Sequence, residues 1–164
     1  MDYEVRPFRP GEEGYVAESH RRAYAEEYRW GEAFTSYAER VALDFAERER
    51  TPREELWVAD AGGRLVGSIM LCESDDPDVG QLRLFLVERD CRRQGIGGAL
   101  IRALMERARE SGYRELVLWT AGPLVDAIRQ YERIGFRTVE EKPNADWSLD
   151  GEVVTEVKME MQLS

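Results

Sequence analysis

The segment from Leu84 to Gly98 constrains the fold of this chain more than any other. Its first residues, apolar through Val87, are typical of a buried strand, and a turn containing Gly95 and Gly97 follows. Apolar side chains then recur at one-turn spacing and predict a helix. Glycines between a strand and a helix leave amide groups free at the helix start, where the helix dipole favours an anion. The segment therefore predicts a sheet covered by helices, with a phosphate site at this turn.

The turn does not match the common nucleotide-binding patterns. The lysine of GxxxxGK[ST] is absent, and the spacing of GxGxxG is not met. Arg92 and Arg93 add positive charge beside the glycines, so we expect the pyrophosphate of another kind of ligand. On this segment alone, a tight turn without a ligand remains the alternative.

Length and charge narrow the function classes. The 164 residues suit one domain, which we expect to span 1–164. Acidic residues outnumber basic ones 33 to 23, a balance that opposes a nucleic-acid partner and would attract a cationic ligand. A single histidine, His20, and two cysteines, Cys72 and Cys91, provide no metal site and no disulfide framework. A charged start and the lack of a long apolar run predict a cytoplasmic protein with no membrane partner.

Periodicity predicts an α+β or α/β fold with seven strands and four helices. Ser36 and Glu39 have the form of a capping box, which would open the second helix. Tyr37, Val41 and Phe45 follow at spacing four and predict its buried stripe. The strands are expected over 3–7, 56–59, 64–72, 81–87, 116–119, 136–140 and 152–161, and the other helices over 12–28, after the glycine turn, and over 125–134.

Two motifs together resemble the GNAT superfamily of N-acetyltransferases. Arg92-x-x-Gly95-x-Gly97 is similar to its coenzyme-binding motif, and residues 127–136, AIRQYERIGF, resemble its A-x-x-x-Y-x-x-x-G-F signature. Residues 5–11, 82–87 and 116–120 resemble, more narrowly, the acetyltransferase half of MarR-type regulator–acetyltransferase fusions. The winged-helix half of such fusions has no counterpart in these residues.

The resemblance implies a fold, a reaction and a cosubstrate. The expected fold is a central mixed, mostly antiparallel sheet of six to seven strands flanked by about four helices. The expected reaction transfers an acetyl group from acetyl-CoA directly to the primary amine of a small molecule, without a metal. Many such enzymes form dimers, so a homodimer is compatible with the resemblance.

The resemblance also implies roles for individual residues. The Val87 amide would donate to the thioester oxygen as it becomes an oxyanion. Tyr131 would protonate the departing thiolate, which suits a phenol that is neutral at pH 7; an aromatic side chain packed on a helix face is the alternative. The pantetheine arm and the pyrophosphate would be bound by Leu86, Val87, Arg92, Arg93, Gln94, Gly95, Ile96, Gly97 and Gly98.

Arg83 provides a clue to the acceptor. Strand alternation places it opposite Leu82, Leu84 and Leu86, and a buried arginine requires an anionic partner. We expect it to bind the carboxylate of an amino-acid-like acceptor, with an internal ion pair to a glutamate as an equal alternative. Aromatic residues of the first two helices would line the acceptor site or simply pack in the core: Tyr24, Tyr28, Trp30 and Phe34.

The general base is not identified by the sequence. Some relatives carry a glutamate where this chain has Gln81, which cannot accept a proton. Glu73 and its acidic neighbours Asp75 and Asp76 could relay a proton through water, although a solvated surface charge run is the favoured explanation. His20 is expected at the surface or its boundary.

The acceptor classes are ranked by these observations. After an amino-acid-like amine, a polyamine-like or aminoglycoside-like cation is the second class, and a protein amine is the third. A non-catalytic acyl-CoA-binding sensor is the alternative function.

Overall fold

One seven-stranded sheet organises the molecule. The structure, a computed structural model, describes residues 1–163. The strands lie in the order β1-β2-β3-β4-β5-β7-β6, and every neighbouring pair is antiparallel except β4–β5. This arrangement confirms the predicted fold class. The elements are β1 (Glu4–Pro7), α1 (Glu13–Tyr28), α2 (Glu32–Glu47), β2 (Glu55–Ala61), β3 (Arg64–Glu73), β4 (Val79–Val87), α3 (Ile96–Glu110), β5 (Glu115–Ala121), α4 (Val125–Ile134), β6 (Arg137–Asn144) and β7 (Val154–Gln162).

Two apolar clusters cover the two faces of the sheet. Helix α3 packs on one face through Leu100 and Leu104, and α1 and α2 pack on the other through Val16 and Phe45. All four side chains are almost completely buried. Within residues 1–163, no helix combines the length and the apolar character that crossing a membrane requires.

The second helix begins earlier than predicted. Helix α2 starts at Glu32, so Ser36 lies inside it and the capping-box prediction is wrong. Its buried stripe is therefore displaced, and Tyr37 is 45% exposed while Phe45 is buried. Burial of a continuous helix face outweighed the local capping pattern. The residues that α2 buries are Thr35, Ala38, Ala42 and Phe45.

Strands β4 and β5 diverge along their length. They pair only where Val79–Gln81 faces 115–117, at the start of both strands. Beyond Gln81 no register joins them, and β5 pairs on its other side with β7 along its full length. Helices α3 and α4 begin beyond the divergent ends. The gap between the two strands therefore opens toward the glycine turn.

A β-bulge lies in the middle of β4. Met70 of β3 faces Arg83 and Ser68 faces Leu86, so one residue of β3 is opposite two of β4. Leu84 occupies this bulge with a φ of 50°, the left-handed region that a leucine rarely adopts. The Ser68 hydroxyl donates to the Leu84 carbonyl at 2.9 Å and stabilises the distortion.

The bulge overturns the strict alternation expected for β4. Leu82 packs in the cluster beneath α3, whereas Leu84 packs in the cluster beneath α1 and α2. Burial raises the pKa of the Cys72 thiol in that second cluster to about 11, and the nearby Arg83 guanidinium opposes the rise. Arg83 therefore lies on the same side as Leu84, and the prediction that placed Leu84 opposite it is wrong.

Candidate active site

A cavity of about 1380 Å³ occupies the gap between β4 and β5. Its walls come from α1, α2, the second half of β4, the starts of α3 and α4, and the segment that joins β6 to β7. We call the part beside the glycine turn the cosubstrate half and the part beneath α1 and α2 the acceptor half. The two halves are continuous, so a ligand in one can reach a ligand in the other.

The start of α3 forms the floor of the cosubstrate half. No side chain caps this helix, and the first turn carries no acidic residue. Its first intrahelical bond runs from the Ala99 amide to the Gly95 carbonyl, so the three preceding amides have no partner in the helix. These amides belong to Ile96, Gly97 and Gly98, which all line the cavity. Unpaired amides at the positive end of a helix dipole fit the pyrophosphate of CoA.

Two positions of this turn favour glycine, one through its backbone and one through its neighbours. Gly95 has a φ of 84°, which only glycine adopts without strain. At Gly97 a Cβ would lie 3.0 Å from Gln130 Nε2 and 3.2 Å from Phe85 Cζ. A larger residue there would collide with the wall of the cavity.

The polar residues before Gly95 differ in their placement. Arg92 and Arg93 line the cavity, whereas Gln94 is exposed and outside its lining. Arg92 donates from Nε to the Val87 carbonyl at 3.1 Å, and its other two nitrogens contact Glu27 of α1. An acidic residue of another helix therefore also contacts Arg92 at this turn.

 The glycine turn is thus joined to α1 through a carboxylate.

The backbone of Val87 faces the gap. The Glu88 amide donates to the Val66 carbonyl at 2.8 Å, which makes 88 and 66 a hydrogen-bonded pair of the antiparallel ladder. Alternation along such a ladder turns the amide and carbonyl of Val87 away from β3. Leu86, which is opposite Ser68, instead directs its backbone groups toward β3. Of the two residues, Val87 can offer a free amide to a ligand in the gap.

Tyr131 lies on α4 at the wall between the two halves. It is 4% exposed, lines the cavity, and packs on Phe85 and Phe136 with ring centroids 5.8 Å away in both cases. Burial raises the pKa of its hydroxyl well above the usual range. The phenol therefore retains its proton at neutral pH and can donate it.

Aromatic side chains form the wall of the acceptor half. Trp30 stacks on Tyr24 at 5.2 Å and on Tyr28 at 5.1 Å, and Phe34 meets it edge-on. Trp147 lies 4.7 Å from Phe34, ring centroid to ring centroid, in a T-shaped contact. Trp30 and Tyr24 are also buried, so this cluster serves both packing and the cavity lining.

The segment between β6 and β7 is tied to the α1–α2 junction by its backbone. The Gly31 amide donates to the Trp147 carbonyl at 2.6 Å, and the Leu149 amide donates to the Arg29 carbonyl at 2.9 Å. An ion pair between Arg29 and Asp150 adds to them at 3.5 Å. These contacts hold Trp147 over the acceptor half.

Two residues that line this cavity each carry a buried side-chain nitrogen without a hydrogen-bond partner. Within residues 1–163, His20 Nε2 and Arg83 Nε are the buried side-chain nitrogens that make no hydrogen bond. No ion pair to Arg83 is present among these residues, so the alternative of an internal pair with a glutamate is not supported. Both side chains line the cavity.

His20 is buried, and its prediction as a surface or boundary residue is wrong. It is 2% exposed, because α1 packs this side of its helix against the sheet. Its Nδ1 lies 2.7 Å from the Val16 carbonyl, an acceptor that fixes the proton on Nδ1. Burial lowers the pKa of the ring to about 4. At neutral pH, Nε2 is therefore an unprotonated hydrogen-bond acceptor.

The acidic residues near the mouth of β4 do not reach the cavity. Glu73 accepts from the Thr51 hydroxyl at 3.0 Å and pairs with Arg53 at 3.8 Å. Neither it nor Asp75 and Asp76 belongs to the cavity lining. This placement favours the solvated charge run over a proton relay.

The cavity is cationic although the chain as a whole is acidic. The charged side chains that line it are eight basic ones and three acidic ones, against a net charge of −10 for the chain. Arg40, Arg83, Arg89, Arg92, Arg93, Arg129, Arg133 and Lys142 are the basic ones, and Glu27, Asp126 and Glu156 the acidic ones. Such a cavity attracts anionic ligands.

The fold and this cavity define an acyl-CoA-type transferase. Residues 15–136 match the family model described as "Acetyltransferase (GNAT) family". The chain therefore belongs to the GNAT family, whose members use acetyl-CoA. Its first strand, β1, and its last two strands, β6 and β7, lie outside the matched residues.

Named relatives and solved structures agree with this family. The chain is 36% identical over 115 residues to "Probable N-acetyltransferase family 8 member 5" of Mus musculus, an alignment that covers 65% of the chain and 51% of the relative. It is 36% identical over 85 residues to "N-acetyltransferase 8" of Homo sapiens, covering 49% and 37%. The chain thus spans about half or less of the length of these relatives.

The structural likeness extends over the whole chain. An N-acetyltransferase from Staphylococcus aureus Mu50 superposes with a TM-score of 0.80 at 16% identity, covering all of both chains. The Salmonella typhimurium protein yncA, solved with its cofactor acetyl-CoA, gives a TM-score of 0.75 at 16% identity and covers 100% of this chain and 95% of its own. At these identities the likeness shows the fold.

Proposed function

We propose that the chain, as a single domain over 1–164, is an acetyl-CoA-dependent N-acetyltransferase that acts on the primary amine of a small, carboxylate-bearing molecule. The observation that carries the acceptor class is Arg83, a cation in the acceptor half whose buried Nε has no partner. Arg83 is partly shielded from water, and a shielded guanidinium gains from an anion, which an acceptor carboxylate would supply.

The cosubstrate half would hold acetyl-CoA through backbone and charge. The free amides of Ile96, Gly97 and Gly98 and the side chains of Arg92 and Arg93 would bind its pyrophosphate. When bound, acetyl-CoA supplies an acetyl group activated as a thioester. Gln94 lies outside the lining, so we expect it to contribute its backbone at most.

Two groups of the chain would assist the transfer. The gap-facing amide of Val87 would stabilise negative charge that develops on the acetyl oxygen. The Tyr131 hydroxyl would hold the proton that the departing sulfur takes up, since burial keeps the pKa of this phenol high. Tyr131 lies 5.8 Å, ring to ring, from Phe85 of β4, which places it beside the gap.

The acceptor half is complementary to an amino-acid-like molecule. The guanidinium of Arg83, which lines this half, would donate to a carboxylate of the ligand. The aromatic wall around Trp30 and Tyr28 would contact apolar atoms of the same molecule. The excess of basic side chains opposes a polyamine or an aminoglycoside.

The test compares acceptors that differ only in the carboxylate. CoA release from acetyl-CoA is measured with L-phenylalanine and phenethylamine, and with other amino acids and polyamines. In Arg83→Gln, kcat/KM for a carboxylate-bearing substrate should fall about thirtyfold, which corresponds to the loss of a charge-assisted hydrogen bond. The value for the decarboxylated analogue should change little. Arg40→Gln, which removes another cation of the cavity, is the control. An equal loss for both acceptors would exclude the carboxylate role of Arg83.

A non-catalytic acyl-CoA sensor is the second candidate function. Gln81 lines the cavity at the position of a glutamate in some relatives, and it provides no base. Acetyl-CoA binding without amine-dependent CoA release across the panel would favour the sensor. The names of the relatives above do not mention a MarR-type fusion, so that narrower resemblance stays a prediction, as do the homodimer and the cytoplasmic location.

A further inference from the structure

Glu27 connects the two halves of the cavity. Its carboxylate, in the last turn of α1, contacts Arg92 Nη1 at 3.2 Å and Nη2 at 3.3 Å, in a bidentate pair. Arg89 Nε approaches it at 3.7 Å. The Glu27 side chain is only 14% exposed, and Tyr28 beside it belongs to the acceptor wall. One carboxylate therefore joins the acceptor half to the glycine turn.

Arg92 is the partner of two anions, the Glu27 carboxylate and the pyrophosphate of CoA. Under the proposed function, Arg92 binds the pyrophosphate of CoA, which carries more negative charge than a carboxylate and has more acceptor oxygens. The Glu27 pair neutralises Arg92 and holds it toward α1. Binding of the pyrophosphate therefore competes with Glu27 for this guanidinium.

Displacement would leave Glu27 with only the longer 3.7 Å contact to Arg89, whose side chain is 82% exposed. A carboxylate that is largely shielded from water is unfavourable without a positive partner. Of the other two carboxylates that line the cavity, Glu156 already accepts from Asn144 Nδ2 at 3.0 Å. Asp126 lies in the first turn of α4, where the helix dipole stabilises its charge. Glu27 is thus the carboxylate with most to gain from the ammonium group of an acceptor.

We propose that Glu27 is an exchange residue, and this inference rests on the proposed function. The pyrophosphate of CoA takes Arg92 from Glu27, and the freed carboxylate then binds the ammonium group of the acceptor. Arg83 and Glu27 would fix the two charged ends of an amino-acid-like molecule. Acceptor binding is consequently favoured after the cosubstrate has bound.

The first experiment measures the affinity of CoA by calorimetry. Glu27→Gln should bind CoA about fivefold more tightly than the parent chain, because the ligand no longer has to break an ion pair. The gain should persist with dephospho-CoA, which keeps the pyrophosphate, and disappear with pantetheine, which lacks it. Glu26→Gln, an exposed neighbour with the same charge change, is the control. Tighter binding with this ligand selectivity would support the exchange, because structural damage cannot produce it. Unchanged or weaker CoA binding in Glu27→Gln would overturn the exchange.

The second experiment measures acceptor kinetics at saturating acetyl-CoA. Glu27→Gln should raise KM for the best amine of the panel about tenfold, whereas Glu27→Asp should recover most of the affinity. An unchanged KM would overturn the role of Glu27 at the acceptor. If the parent chain itself binds no acetyl-CoA, the proposed function fails, and that result is distinct from any outcome with the variants.

Discussion

The two halves of the cavity are built in different ways. The cosubstrate half comes from one continuous segment, in which β4 ends, the backbone turns at Gly95 and α3 begins. The acceptor half is assembled from α1, α2, the bulge of β4 and the segment around Trp147. The first uses mainly backbone groups, and the second uses side chains.

This difference determines what each half can recognise. Backbone amides at a helix start bind any phosphate of suitable shape, and their geometry depends on glycine rather than on side-chain chemistry. Where side chains from distant segments form the wall, each substitution instead changes the shape and the charge that a ligand meets. The cosubstrate half is therefore general, and the acceptor half is specific.

Filling the space beside the free amides at the start of α3 should produce the largest effect. Gly97→Val places methyl groups against Gln130 and Phe85, and we expect acetyl-CoA affinity to fall about hundredfold in calorimetry. Gly14→Val is the control, since a Cβ at Gly14 of α1 meets no atom within 4 Å. Full affinity in Gly97→Val would show that the cosubstrate binds elsewhere.

Removing the hydroxyl of Tyr131 should affect rate and leave binding intact. Tyr131→Phe should lower kcat about hundredfold while acetyl-CoA affinity stays the same. Because burial raises the pKa of this phenol, the parent chain should not lose kcat through its titration between pH 7 and 9. Tyr113→Phe is the control, since the Tyr113 hydroxyl donates to the Arg53 carbonyl outside the cavity. Equal kcat values for parent and Tyr131→Phe would exclude the acid role.

Loosening the bulge should give the smallest effect. Ser68→Ala removes the hydrogen bond to the Leu84 carbonyl and should lower the free energy of unfolding by about 1 kcal/mol. It should also reduce kcat/KM a few-fold, because the bulge positions Arg83. Ser19→Ala loses a similar buried bond to the Val16 carbonyl and should match the loss of stability without the kinetic change. Identical kinetics in the two variants would show that the bulge does not position the site.

The sequence predicts the cosubstrate half better than the acceptor half. Gly95 is informative because local backbone geometry demands glycine there, and the strand, turn and helix start that surround it are neighbours in sequence as well as in space. The seven strands and four helices follow similarly from short-range periodicity, which confirms the fold class.

The acceptor half depends on contacts that no local pattern records. Leu84 changes side because two residues of β4 are opposite one residue of β3, a consequence of strand pairing. His20 becomes buried because α1 packs it inward, and its charged neighbours do not reveal this. Trp147 contacts Phe34 across more than a hundred residues of chain. A tryptophan in a polar segment was the one signal that could have identified it.

The contacts that join the α1–α2 junction to the segment after β6 are made largely by main-chain atoms, and we call them the main-chain joint. Gly31 and Trp147, like Arg29 and Leu149, meet through amide and carbonyl groups that every residue except proline provides. Evolution can therefore exchange the side chains of this segment, one by one, while the main-chain joint persists. A chain of this design can acquire new acceptors without rebuilding the half that holds its cosubstrate.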